Sequence, residues 1–145
     1  MKRMLFAALA LMPLIAGPVS AADEKPSIVT VLTAPEPQTQ LMAMVLSMQS
    51  IQQGAAVRVL LCGPAGDLAL KDAPPSATAA QKPKGISPQG LMQKIIATGA
   101  PVEVCAIYLP NKGVGPDALI EGVAAARPPE MAGHLLADDA RLLTF

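Results

Sequence analysis

The sequence predicts an α/β fold: a small doubly wound, mainly parallel five-stranded sheet with helices on both faces. Two observations predict it. Short aliphatic runs alternate along the chain with segments of helical period, and those runs are continuously apolar rather than alternating. Strands buried on both faces by crossover helices have that character.

The elements follow in order. Ser27 to Thr33 (SIVTVLT) is a β-branched run, ended by Ala34-Pro35-Glu36-Pro37. From Gln38 to Gln53 the pattern is helical, with Leu41, Met44, Val45, Met48 and Ile51 at spacings of three and four, and Gly54 is a natural stop. Ala56 to Cys62 (AVRVLLC) reads as a second buried strand. The stretch 63–87 holds Pro64, Pro74, Pro75 and Pro83 and reads as a long loop with at most one short helix near Asp67 to Leu70. A loop of that length is functional or mobile in most compact domains. Ser87 caps a helix opened by Pro88, with Leu91, Met92, Ile95 and Ile96 inward and Gly99 as the stop. Val102 to Leu109 (VEVCAIYL) is the third strand. Pro116 to Ile120 suggests a short helix and Gly122 to Ala126 a short strand. Pro128-Pro129 begins a helix carrying Met131, Leu135 and Leu136, and Arg141 to Phe145 forms a terminal strand. With right-handed crossovers this is a flavodoxin-like order in which strand one lies between strands two and three.

Composition bounds the function. The 145 residues hold 11 basic and 11 acidic side chains; 52% are hydrophobic and 2% aromatic. The apolar fraction excludes a disordered chain. Balanced charge and scarce rings give no basic footprint and no stacking platform, so no nucleic-acid partner is expected. Lys2 and Arg3, an apolar run from Met4 to Ala16, then Gly17-Pro18 and small residues to Ala22, have the order of a secretory signal peptide. The run falls short of the ~20 residues a spanning helix needs. The expected organisation is therefore a signal peptide over 1–22 and a single domain over 23–145, delivered to the periplasm with no stable membrane anchor after cleavage. Cleavage leaves nine basic against eleven acidic residues. The periplasm is oxidising.

Few residues offer chemistry. The run Gly63-Pro64-Ala65-Gly66-Asp67 lacks the Lys-Ser/Thr of a phosphate loop and reads as a turn, with Asp67 as a helix cap. His134 is the only histidine. It has no His-x-x-x-His partner and no nucleophile elbow, so neither a zinc site nor a catalytic triad is expected. The sequence predicts no cofactor. Met42, Met44 and Met48 with a cysteine would suit Cu(I); core packing accounts for the same residues through the helical stripe. Cys62 and Cys105 end strands two and three. With strand one between them their Cα atoms would stand ~9–10 Å apart, beyond the ~7 Å a disulfide tolerates. Two free thiols are expected.

Around Cys105 the chain resembles a known family. A cysteine at the end of strand three is followed seven and eight positions later by Lys112 and Gly113, and the helix-one stripe, Gly54 and the Leu-Ile-Glu-Gly-Val run at 119–123 also fit. This resembles the DsrE/DsrF-like family, which includes TusD-type sulfur-relay subunits, over Ser27 to Phe145. Lys112 stands where the family has arginine, and Pro110 alters the turn. The resemblance implies a persulfide on Cys105 and sulfurtransferase-like activity. It also implies a sulfur donor or acceptor, whether protein or small sulfur compound, and a homo-oligomer. Lys112 is the cation that would favour the thiolate, while Glu103, on the same strand face, would oppose it. Two alternatives stand beside this one. Cys105 is a small buried hydrophobe in a non-enzymatic domain binding a protein or small ligand, or the chain takes Cu(I) through Cys and Met.

Overall fold

The computed structural model describes residues 25–145; the expected signal peptide lies outside them. The described residues form one five-stranded, all-parallel sheet in the order β4-β3-β2-β1-β5. The strands are β1 (Ser27–Leu32), β2 (Ala56–Leu61), β3 (Val102–Val104), β4 (Val123–Ala125) and β5 (Ala140–Thr144). Five helices connect them: α1 (Pro37–Gln52), α2 (Pro75–Thr78), α3 (Pro88–Ala97), α4 (Tyr108–Lys112) and α5 (Pro128–Leu135). The α/β class and five strands are those the sequence predicts. The strand order differs at two places: β2, not β1, is the neighbour of β3, and β5 lies against β1 rather than β4.

Successive steps from β1 to β3 run in one direction, so their crossover helices share a face, where α1 packs against α3. The main core lies there, with Leu32, Val59, Leu61 and Val104 meeting Met44, Met92 and Ile95. The return from β4 to β5 carries α5 across the other face, where Met131 meets Val29, Leu60 and Ala126. That second layer is thin. Of the apolar residues carried by this helix, Met131 is buried, while Leu135 at its last turn and Leu136 at its C-cap are exposed.

Helix boundaries follow local chemistry. The Ser87 hydroxyl accepts from the Gly90 amide at 3.1 Å and Pro88 opens α3, as the sequence predicts. In α1 the deepest positions are Gln40, Ala43, Met44 and Ser47, one ridge over from the apolar stripe; Leu41, Val45, Met48 and Ile51 form its half-buried flank. Two polar side chains sit on that ridge, Ser47 with a partner for its hydroxyl and Gln40 with one for its amide nitrogen but none for its buried Oε1. Ser47 Oγ and Thr30 Oγ1, both fully buried, bond at 2.9 Å between α1 and β1. Gln40 Nε2 donates to the Ala34 carbonyl at 2.8 Å.

The stretch 63–87 is built structure rather than an open loop. A 3₁₀ helix runs over Gly63–Ala69, α2 follows, and Gln81 and Ile86 form an antiparallel bridge. Its small apolar residues are what allow this: Ala65, Leu68, Ala69 and Ala77 are fully buried, and Leu70 bridges to Leu119.

Ser47→Ala strands the Thr30 hydroxyl and should cost about 1–3 kcal/mol in chemical denaturation. Adding Thr30→Val should recover much of that loss, the non-additive signature of a direct pair.

Candidate active site at the ends of two adjacent strands

β2 and β3 pair with Val59 opposite Val102, Leu60 opposite Glu103 and Leu61 opposite Val104. One residue further the register sets Cys62 opposite Cys105, and the Cys105 amide donates to the Leu61 carbonyl at 2.8 Å. The two Cα atoms are 5.1 Å apart and the sulfurs are joined in a disulfide. The expected free thiols are thus corrected. The cysteines stand one strand spacing apart instead of two, inside the ~4.4–6.8 Å range that a disulfide bridges.

Each cysteine leads into a helical segment. Cys62 precedes the 3₁₀ helix over Gly63–Ala69, and Cys105 precedes α4. The sequence extends the third strand to Leu109, but β3 ends at Val104. Pro110 cannot donate within a central strand, whereas its missing N–H costs nothing in the first turn of a helix. Gly113 closes α4 at φ 74°, a left-handed conformation that favours glycine.

The two segments are clamped together. Tyr108 lies directly on Gly66, where any Cβ would collide with its ring. Its hydroxyl donates to Asp67 Oδ1 at 2.6 Å, and Lys112 Nζ donates to the same oxygen at 2.7 Å. Asp67 is therefore a tie between segments and not a helix cap. Burial pushes its carboxyl up, but hydrogen bonds from Lys112 and Tyr108 and the Lys112 charge outweigh that and hold it below its ordinary value. Burial, then the hydrogen bond to Asp67 and its charge, raises the Tyr108 hydroxyl far above its usual range.

The result is an open groove of about 580 Å³ at the carboxyl ends of the strands, lined by Cys62, Cys105, Asp67, Tyr108 and Lys112 with Ile107 as an exposed apolar lip. Carboxyl ends of parallel strands are where ligands bind in α/β sheets. Cys105 and Lys112, singled out in the sequence, face this one groove. Asp67 and Tyr108 were missed as site residues; the signal was present in the close fit that Gly66 requires, but nothing in the sequence aligns positions 66 and 108. Glu103 is paired with Arg58 on the sheet face, so its charge is met there. His134 is exposed near the end of α5, and Met44 is buried in the main core. Among the described residues no group of three His, Cys, Asp or Glu side chains is placed to hold a metal ion.

Sheet and groove together define an α/β protein with an all-parallel five-stranded sheet and a cysteine pair at the strand ends. Solved structures share the fold, among them the following two. The ychN protein from E. coli superposes with a TM-score of 0.60 at 24% identity, over 83% of this chain and 99% of that one. MTH1491 from Methanobacterium thermoautotrophicum, described as a protein of unknown function, superposes with a TM-score of 0.59 at 12% identity, over 84% and 100%. At these identities the likeness is one of fold. Neither a protein-family model nor a curated protein sequence matches the chain.

Because the folded-state pKa of Asp67 is lowered, its contribution to stability is present above the unfolded carboxylate value of about 3.9 and is lost as pH falls through the folded value. Acid denaturation of Asp67→Asn should lack that step. Gly66→Ala should cost about 1–3 kcal/mol through overpacking against Tyr108, read as a lowered urea midpoint at unchanged slope.

Proposed function

We propose that the chain is a periplasmic sulfur-exchanging protein of the DsrE/DsrF-like kind that works through the Cys62–Cys105 pair. A dithiol reductant opens the bridge by thiol–disulfide exchange, leaves as its own disulfide, and frees both thiols. The Cys105 thiolate then attacks a sulfane sulfur, a shorter sulfur chain leaves, and Cys105 holds the transferred atom as a persulfide. The observation that carries this reading is the placing of two directly opposed cysteines at the mouth of a groove at the carboxyl ends of adjacent strands. Lys112 is the groove's cation, and its charge is shared with Asp67. An oxidising compartment suits the disulfide. Ile107, exposed beside the pair, suits contact with a donor or acceptor protein. Self-association belongs to the same proposal, since Leu136 and Leu142 are exposed beside one another's elements, α5 and β5.

A second reading has its own support. Both sulfurs pack against the Val29–Leu60–Met131 cluster, and closing a loop of separation 43 would contribute ~4 kcal/mol to stability. In that case the bridge is a staple in a binding domain.

The two readings separate in solution. Reduced protein incubated with polysulfide should gain one sulfur atom at Cys105 by mass spectrometry, and Cys105→Ser should gain none while Cys62→Ser still does. A native disulfide that resists dithiothreitol until the protein unfolds, with no sulfur taken up afterwards, would leave only the staple.

A further inference from the structure

A second groove meets the cysteine pair from the thinly covered face of the sheet. It has a volume of about 240 Å³, is lined by Leu60, Ala106, Ala126, Met131 and Leu135, and reaches Cys105 but not Cys62. Ala126 stands on the far side of Cys105 from Cys62: its amide donates to the Val104 carbonyl, as β4 continues past Ala125. A nucleophile that opens a disulfide approaches the attacked sulfur from the side opposite the leaving sulfur. Of the two cysteines only Cys105 lines this groove, so a nucleophile entering by it would meet Cys105, with Cys62 as the leaving group.

The linings also select the nucleophile. The second groove has no charged residue. The first has one cation, Lys112, which donates to the one anion, Asp67. Neither groove offers a spare positive charge for a dianion such as sulfite or thiosulfate, and an apolar wall disfavours both through desolvation. A small sulfur nucleophile with at most a single charge fits.

Resting on the sulfur-exchange reading above, we propose that the oxidised protein is loaded directly by inorganic sulfide. Hydrosulfide attacks Cys105 Sγ through the apolar groove. A new S–S bond forms, the Cys62–Cys105 bond breaks, and its electron pair leaves on Cys62 as a thiolate. The sulfide sulfur is oxidised to the persulfide level, the disulfide is the oxidant, and the hydrosulfide proton remains on the persulfide or passes to Cys62. No other co-reactant enters.

The test uses the full oxidised chain without oxygen, treated with sodium sulfide and then with a thiol alkylator. Peptide mass spectrometry should find Cys62 alkylated as a thiol and Cys105 alkylated one sulfur atom heavier. Relative to hydroxyethyl disulfide under the same conditions, opening by sulfite should lag opening by sulfide by about tenfold or more. Ala132→Phe, which fills the second groove from the exposed side of α5, should slow opening by sulfide. An intact disulfide, sulfur appearing on Cys62, sulfite that keeps pace, or an unchanged rate in Ala132→Phe would each overturn the proposal. A parallel sample of reduced protein with polysulfide separates the two claims. Uptake there without opening of the oxidised form defeats direct loading alone, and failure in both samples defeats the carrier reading as well.

Discussion

The pairing of β2 with β3 governs everything at the candidate site. A parallel ladder leaves no freedom at its last rung: once Leu61 lies opposite Val104, Cys62 must lie opposite Cys105, on the same side of the sheet and one strand spacing away. The buried valines and leucines on the helical side hold that register, since a slip by one residue would turn Val59, Leu61, Val102 and Val104 out of the core. The chemistry at the strand ends is therefore guaranteed by packing some distance below it.

Above the cysteines the chain diverges into two short helical segments that would separate if only the disulfide joined them. Gly66, Tyr108, Asp67 and Lys112 prevent this. An aromatic ring seated on a glycine fixes the distance between the segments, and a carboxylate taking two hydrogen bonds on one oxygen fixes their orientation. The tie involves neither sulfur, so it joins the segments in addition to the disulfide.

Much of this was legible in the sequence, and the failures at the site share a cause. Element type and order could be read from local signals: the Ser87-Pro88 start, the glycine stops, the continuous apolar strands. Cys105 and Lys112 could be singled out for the same reason, since they lie close together in sequence. Which strand neighbours which is a long-range fact that apolar runs of similar composition do not encode. Placing β1 between the cysteines turned a bonded pair into two separate thiols. The Asp67–Tyr108 tie spans 41 residues and was hidden for the same reason. The stretch 63–87 misled differently: its prolines read as loop, whereas its alanines and leucines pack into the core because small side chains let irregular backbone lie close to the sheet. Ser47 escaped the helical stripe because burial tolerates a polar group that has found a partner.

Strand pairing also makes the two cysteines neighbours by register. The Cα atoms of the bridged pair are 5.1 Å apart, and the Cys105 amide bonds to the Leu61 carbonyl independently of the sulfurs. Each side chain therefore meets the other at a very high effective molarity. On the proposed reading, a sulfur adduct on one cysteine would sit beside a thiol able to expel it and restore the bridge. The lifetime of such an adduct would then be a property of the architecture: a clock set by the sheet, which a delivery step would have to outrun.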